Sequence, residues 1–440
     1  MARQLFGTDG IRGVAGEHPL DDATVCAVGQ ALGRLVAGLE ARPQVLIGVD
    51  TRDSGPRLAG LVAAGLDSAG VPARFAGVIP TPGIAYLTRQ GPFVAGVVIS
   101  ASHNPYRDNG IKVFAHSGFK LTDEQEERIE AWIGSLRPAA PAARRALAPD
   151  RALTTSYLDY LAGCLAAPLN PRLRLVADCA NGAAFEAAPR LFRRLGLEPE
   201  VVGNRPDGRN INLDCGSMHL GTLRARVLES RADLGVAFDG DADRALFVSA
   251  SGREVNGDAV LWMAARHLGV PLVVGTSMTN LGLEKALGEL GIPLVRTPVG
   301  DKYVLEEMLG RDAELGGEQS GHIIFQRYAT TGDGLLTALQ VLDIMTATGA
   351  TLDELTGGWR VYPQTIRSVA VRARTPLAEI PAVDQAIRDS ERALAGRGRL
   401  VVRYSGTELL VRVMVEAETG QEVESHAARL AQVIAEHLGA

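Results

Sequence analysis

Three times along the chain, a pair of short apolar runs stops at a polar loop carrying glycine, acid or serine. The pairs are VLIGVDTRDSG with VVISASHNP, RLVADCANGA with LGVAFDGDADR, and PLVVGTSMTN with AELGGEQSGH. Runs this short and this rich in Val, Leu and Ile read as buried strands, and amphipathic helical stretches separate them. Strand and helix in alternation specify an α/β protein with mixed sheets. The recurrence predicts three similar α/β units in tandem, although Val-rich strands followed by Gly-rich loops look alike even without a repeat. At 440 residues the chain exceeds what one core can organise, so several domains are required in any case.

The C-terminal region breaks the pattern. TIRSVAVRA, RLVVRYS and LLVRVMVEA read as strands and Pro381 to Leu394 as a helix. Val423, Ala427, Leu430, Ile434 and Leu438 then line one face of a final helix, which makes a small α+β domain. Gly134 to Asp150, rich in Ala, Pro and Arg, is the clearest linker. With further boundaries near 250–257 and 359–365, the expected domains are 1–150, 151–252, 253–363 and 364–440.

Net charge and cysteine usage exclude some functions. The chain carries a net charge of −6 and no Lys/Arg run, which argues against a nucleic-acid surface. No stretch approaches the ~20 apolar residues that span a bilayer, and the first residues lack the apolar core of a signal peptide. The four cysteines contain no C-x-x-C pair and are expected as free thiols in a reducing compartment. The protein is therefore expected in the cytoplasm, without membrane or nucleic-acid partners.

Chemistry is concentrated in the strand-end loops. Asp239, Asp241 and Asp243 stand two apart between LGVAF and ALFV. Three neighbouring carboxylates repel unless a cation collects them, and an all-oxygen set with room for a phosphate oxygen suits Mg²⁺. An EF-hand does not fit, because Arg244 and Ala250 stand where that loop needs Gly and Glu. A solvated acidic turn would read the same way locally. In RYSGTELLVR, Arg403, Ser405, Gly406, Thr407 and Arg412 could cradle a phosphate, or form only a tight turn between strands. GGEQSGH offers Glu318, Ser320 and His322 to sugar hydroxyls, or is a polar turn. Asp301 and Lys302 follow another strand as proton-transfer groups or a surface pair, and Arg12 sits in a glycine-rich turn.

The stretch GVVISASHNPYRDNGIKVF ends a buried strand in Ser100, Ser102, His103 and Asn104, turns through Asp108-Asn109-Gly110, and resumes as a strand. Ser102 and His103 are turn and packing residues, or a nucleophile and its neighbour. No Walker A, G-x-G-x-x-G, G-x-S-x-G or H-E-x-x-H pattern supports a nucleotide, hydrolase or zinc-protease reading. Taken together, a serine, an oxygen-ligated cation, a phosphate cradle and a hydroxyl-binding loop supply what phosphoryl transfer on a sugar phosphate needs. Without a nucleotide motif the phosphoryl group is expected to start on the protein or on the sugar, which points to a mutase.

Taken in order, FGTDGIRG, ISASHNP, DGDADR, GGEQSGH and RYSGTE resemble the α-D-phosphohexomutase superfamily across essentially the whole chain. That resemblance implies three tandem mixed-sheet α/β units plus a C-terminal α+β domain around a central cleft. It implies that Ser102 is a phosphoserine and that Asp239, Asp241 and Asp243 bind Mg²⁺ with the phosphoryl oxygen on Ser102. Glu318 and Ser320 would hold sugar hydroxyls. Arg403, Ser405, Gly406, Thr407 and Arg412 would hold the non-reacting phosphate. Arg12, His103, Lys112 and Arg244 lie at motif positions near the reacting group.

Gln319 and the N-terminal motif place the chain nearest the branch that interconverts glucosamine 6-phosphate and glucosamine 1-phosphate, primed by a hexosamine or glucose 1,6-bisphosphate. Glucose or mannose phosphates, a sugar-phosphate phosphatase and a non-catalytic sensor are the competing readings, and a homodimer is the assembly considered. Three positions depart from the family pattern. Tyr404 and Leu409 stand where proline is usual in the last loop, and Lys302 where arginine is common.

Overall fold

The computed structural model describes residues 5–7, 9–135, 146–405 and 409–439. It falls into two compact units: residues 1–276 with 297–357, and residues 277–296 with 358–440. The first contains the α/β repeats. Its N-terminal sheet comprises β1 (Phe6–Gly7), β2 (Gly10–Val14), β3 (Val45–Val49), β4 (Ala73–Val78), β5 (Ala95–Ile99) and β6 (Asp108–Ala115), in the order β1-β2-β6-β5-β3-β4. The β3 strand pairs parallel with β4 and β5, while β2, β6 and β5 pair antiparallel, so the sheet is mixed as the alternating pattern requires. Every residue of β3 and β5 is buried, which accounts for their unbroken apolar sequences.

Two segments differ from their expected form. Asp108, Asn109 and Gly110, expected as a turn, are the first residues of β6, and Arg12 lies in strand β2 instead of a glycine-rich turn. The two pair with each other: Val14 faces Asp108, Gly13 faces Asn109 and Arg12 faces Gly110. Turn-forming residues adopt strand geometry here because a ladder partner about a hundred residues away in the chain satisfies their backbone groups. The ladder carries Arg12 to the strand that holds Lys112.

Helices Asp22–Val36 and Gly55–Ser68 pack closely on the sheet's core, which includes Val25, Leu32, Val62 and Leu66. A Cβ on Gly29 would lie 2.2 Å from Val62 O, and one on Gly65 would lie 2.1 Å from Cys26 O, so the helix backbones touch directly. Gly65→Ala is expected to destabilise this unit by about 3 kcal/mol, because only backbone can yield. Urea denaturation monitored by circular dichroism checks it.

The second sheet of this unit comprises β7 (Leu175–Asp178), β8 (Glu200–Val202), β9 (Leu234–Phe238), β10 (Ala245–Ser249) and β11 (Glu254–Val255), ordered β11-β10-β9-β7-β8. The DGDADR loop is the hairpin connection between the antiparallel strands β9 and β10. Further on, Val273–Thr276 pairs parallel with Leu315–Gly317, which pairs antiparallel with Ile323–Phe325; the GGEQSGH loop joins the latter two.

The second unit has a three-stranded antiparallel sheet, Gln364–Ala370, Leu410–Glu416 and Arg399–Tyr404, with Leu410–Glu416 central. Helices Pro381–Leu394 and Gly420–Leu438 cover it, the latter through Val423, Ala427, Leu430, Ile434 and Leu438. These elements stand where the strand and helix periodicity places them. Residues 277–296 join this unit by specific bonds. Asn280 exchanges two 3.0 Å hydrogen bonds with the Tyr362 backbone, and Glu416 Oε1 accepts from Leu281 N at 2.9 Å. Arg399 donates to Ser277 O at 2.8 Å. The linker expected at 134–150 lies largely outside the described residues. Among the described residues no helix is long and apolar enough to cross a membrane. Cys164, Cys179 and Cys215 are buried free thiols and Cys26 is half-buried.

Candidate active site

The first unit brings together residues from four strand-end loops. Ser102 follows β5, is buried, and adopts a left-handed backbone with φ 52°. Its hydroxyl donates to Asp239 Oδ2 at 2.5 Å, and His103 Nδ1 stands 3.4 Å from Oγ. Asp239, Asp241 and Asp243 are all buried and offer ligand oxygens within 4.8 Å of one another. Thr81, at the start of helix Thr81–Gln90, fixes the middle carboxylate: its hydroxyl donates to Asp241 Oδ2 at 2.6 Å and its N–H to Asp241 O at 2.9 Å.

The three carboxylates of the triad are not equivalent. Burial first, then the neighbouring Asp243 and Asp241 charges, hold the Asp239 carboxyl well above the usual carboxylate range. Burial would raise Asp243 as well, but Lys112 and His322 hold it far below that range. Asp241 Oδ1 and Asp243 Oδ1 are buried without a hydrogen bond. Three buried carboxylates whose ligand oxygens lie within 4.8 Å of one another fit a hard divalent cation by donor type.

Cations surround the triad. Lys112 Nζ lies 2.9 Å from Asp241, 3.1 Å from Asp9 and 3.5 Å from Asp243. Burial alone would lower its ammonium pKa, but Asp241, Asp9 and Asp243 hold it well above its ordinary value. Arg12 pairs with Asp9. Lys120 bridges Asp9 and Asp301 at 2.5 Å each, so the charge chain runs on to Asp301, the first residue of helix Asp301–Arg311. Arg244 Nε and His322 Nδ1 each stand 3.7 Å from Asp243 Oδ1. Gly332 N points at His322 Nε2 from 3.0 Å, and although burial would lower the imidazole pKa, Asp243 and Asp301 hold it above its ordinary value. His103 is neutral near pH 7, because burial, then Arg244 and Arg12, push it down to about 4.

The GGEQSGH loop is a short hairpin. Glu318 Oε1 accepts from Gly300 N at 3.1 Å, and Ser320 Oγ donates to Glu318 Oε2 at 3.4 Å. Lys302 pairs with Asp123 and is one of the cations that the serine-triad cluster does not use. In the second unit, Arg403 and Arg412 face each other across strands Arg399–Tyr404 and Leu410–Glu416. Burial, then Arg412, hold Arg403 below its ordinary pKa, and two facing cations of this kind favour an anion between them. Ser405 N donates to Leu410 O at 2.8 Å, which closes the turn. The Tyr404 hydroxyl donates to Thr375 O and anchors the loop where proline is usual. Gly406 and Thr407 lie outside the described residues.

Sequence reasoning missed several members of this site. Asp9, Thr81 and Lys120 bind the triad and its counter-charges, and Asp50, Arg52, Ser100 and Asn212 bind the Ser102 loop. The signal for Asp50 and Arg52 was present: two opposite charges sit directly at the end of a fully apolar strand. Asp333 was also missed. It caps helix Gly334–Thr348 through Leu336 N at 3.0 Å and accepts from the Tyr157 hydroxyl at 2.7 Å. Its neighbours reach the centre, with Gly334 N on Ala242 O and Gly332 N on His322, both at 3.0 Å.

Burial pushes the Asp333 carboxyl up to about 6, with the Leu336 and Tyr157 bonds offsetting only part of it. Its folded pKa exceeds its unfolded one. The stability it contributes is therefore present below the unfolded value near 4 and is lost as pH rises through about 6. Asp333→Asn is expected to flatten that loss, on the order of 2 kcal/mol, as read from urea midpoints at pH 4.5 and 7.

Four family descriptions match the chain in order. They are the phosphoglucomutase/phosphomannomutase alpha/beta/alpha domains I, II and III at residues 3–138, 155–252 and 256–362, and the C-terminal domain at 366–433. A phosphoglucosamine mutase from Solibacter usitatus is 54% identical over 446 aligned residues, covering 100% of both chains. The chain belongs to the phosphoglucomutase/phosphomannomutase family. A phosphoglucosamine mutase from Deinococcus radiodurans is 48% identical over 99% of this chain and 98% of its own length. Among solved structures, a phosphoglucomutase/phosphomannomutase family protein from Burkholderia thailandensis is similar, with a TM-score of 0.81 and 25% identity. That match covers 98% of this chain and 97% of the other. The N-acetylphosphoglucosamine mutase of Aspergillus fumigatus, solved with GlcNAc-6P and magnesium, shares the fold at TM-score 0.64 and 18% identity, over 98% and 96% of the two chains.

Proposed function

We propose that this protein interconverts glucosamine 6-phosphate and glucosamine 1-phosphate, with Ser102 carrying the phosphoryl group. The observation that carries the reading is the buried Ser102 hydroxyl, 2.5 Å from one member of an all-oxygen carboxylate triad. The 54% identity to a phosphoglucosamine mutase supports the choice of sugar.

Phosphoserine 102 gives its phosphoryl group to the O1 hydroxyl of glucosamine 6-phosphate. The bond from phosphorus to Ser102 Oγ breaks as the bond to O1 forms, O1 gives up its proton and Oγ gains one, leaving a free serine hydroxyl and a 1,6-bisphosphate. After the sugar turns over, the 6-phosphoryl group returns to Ser102 and the 1-phosphate leaves. Mg²⁺, held by Asp239, Asp241 and Asp243 with a phosphoryl oxygen on Ser102, would offset the charge on the transferring group. The Lys112 ammonium and the Arg12 and Arg244 guanidinium groups add positive charge there. His103, neutral and 3.4 Å from Ser102 Oγ, can take up a proton at Nδ1. Glu318 and Ser320 hold sugar hydroxyls in either orientation, and Arg403, Ser405, Gly406, Thr407 and Arg412 hold the phosphate that is not reacting. A hexosamine or glucose 1,6-bisphosphate primes Ser102. In the cytoplasm the product would supply amino-sugar nucleotide synthesis.

The test is an assay with Mg²⁺ and a trace of bisphosphate on the 6-phosphates of glucosamine, glucose and mannose. Glucosamine 6-phosphate is expected to be preferred and to yield the 1-phosphate. Release of inorganic phosphate without 1-phosphate would overturn the mutase reading, and preference for glucose or mannose would overturn the sugar.

A further inference from the structure

The loop that presents Ser102 is wrapped around a buried cation. Arg52 is fully buried and all five of its guanidinium N–H groups are used. Nε donates to Asp50 Oδ2 at 2.8 Å. One terminal nitrogen donates to Asp108 O at 2.9 Å and to Pro105 O, and the other to Ser102 O and Asn104 O, both at 2.9 Å. Four carbonyls of a single loop therefore converge on one planar group.

Other contacts fix the same residue from the remaining sides. Ser100 Oγ donates to Asp50 Oδ2 at 2.6 Å and accepts from Ser102 N at 3.0 Å. Asn212 Nδ2, from the second sheet's side, donates to Ser102 O at 2.9 Å and to Asn104 O at 3.1 Å. A Cβ on Gly240 would lie 2.4 Å from Ser102 O, so only glycine leaves room for that carbonyl. With both backbone groups of Ser102 bound and its φ in the left-handed region, rotation of its own side chain is the freedom that remains.

We propose that Arg52 is the positioning residue of the phosphoryl-carrying serine, setting where Ser102 Oγ stands during transfer. The inference rests on the mutase reading. Closing a loop needs only turn residues, whereas a buried charged group costs desolvation and is kept where geometry matters. Transfer from Ser102 to a sugar hydroxyl requires an in-line approach, and an error of about 1 Å costs on the order of 100-fold in rate. Lysine cannot replace the fork, because it offers three donors from a single point. Asp50, Ser100 and Asn212 act through the same loop, so their loss should be felt in the same rate constant.

The test uses the Mg²⁺-loaded, phosphorylated enzyme and the variants Arg52→Lys, Ser100→Ala and Asn212→Ala. The readouts are kcat and KM for glucosamine 6-phosphate, the phosphorus NMR resonance of phosphoserine 102, and the melting temperature. Arg52→Lys is expected to lose about 100-fold in kcat with KM within about 3-fold, and to broaden or shift the phosphoserine resonance. Ser100→Ala and Asn212→Ala are expected to lose about 10-fold in kcat at temperatures well below their melting points, and they decide the matter where Arg52→Lys does not fold. Variants that melt earlier yet keep wild-type kcat and an unchanged resonance would show the cluster to be structural only. A wild-type enzyme that isomerises no sugar phosphate would sink the mutase reading and this inference with it. An active wild type with unaltered variants would sink this inference alone.

Discussion

Ser102→Ala is expected to lower turnover by at least about 10⁴-fold while leaving the protein folded, because it removes the atom to which the phosphoryl group is attached. The fold should survive for reasons visible in the site. The bonds that hold this residue's backbone run through its N–H and carbonyl, to Ser100, Arg52 and Asn212, and none uses Oγ. Removing Oγ takes from Asp239 Oδ2 its 2.5 Å hydrogen bond but leaves the Thr81 and Lys112 bonds to Asp241 in place. The variant should accordingly bind sugar phosphate with near wild-type affinity and acquire no phosphate when incubated with the bisphosphate, as intact-mass measurement would read. Turnover within about 10-fold of wild type would end the phosphoserine mechanism.

Loss of the triad should rank next. Chelation of divalent cations, or Asp241→Asn, is expected to cost about 10³-fold in kcat, in keeping with the several kcal/mol that a metal supplies to charge stabilisation. Asp241 is the informative member because its two oxygens do different work. Oδ2 accepts from Thr81 and Lys112, whereas Oδ1 is buried without a hydrogen bond. Substitution by asparagine keeps the shape and removes charge. The variant should need a Mg²⁺ concentration at least about 10-fold higher for half-maximal activity, and added Mg²⁺ should restore the chelated wild type completely. Activity indifferent to chelation would remove the cation from the mechanism.

Much of this was legible in the chain before any coordinates. Three aspartates at alternate positions after an apolar strand suggest a cation site, with a solvated acidic turn as the local alternative; all three are buried with ligand oxygens within 4.8 Å of one another, and Asp239 accepts from Ser102. The C-terminal elements were equally plain, because period-2 and period-3.6 patterns there are clean, down to the buried stripe of the last helix. What escaped was decided by partners distant in sequence. Asp108-Asn109-Gly110 has every local mark of a turn, yet the N-terminal strand beside it makes it a ladder. Arg52 and Asp50 at the end of an apolar strand mark a charged pair, but that local signal does not tell that the carbonyls of Ser102, Asn104, Pro105 and Asp108 will close over the guanidinium. Gly406 and Thr407, expected at the phosphate loop, lie outside the described residues, so that part of the reading stays with the chain's chemistry.

The φ of 52° at Ser102 also limits which amino acid can hold the position. Chemically, a threonine hydroxyl would carry a phosphoryl group about as well as a serine hydroxyl. The backbone disfavours it, since a β-branched side chain in the left-handed region is a genuine outlier. Evolution in this lineage therefore has one alcohol available at this point of the backbone, and Ser102→Thr should be nearly as inactive as Ser102→Ala despite retaining a hydroxyl. The choice between the two alcohols was made by main-chain geometry, upstream of any reaction.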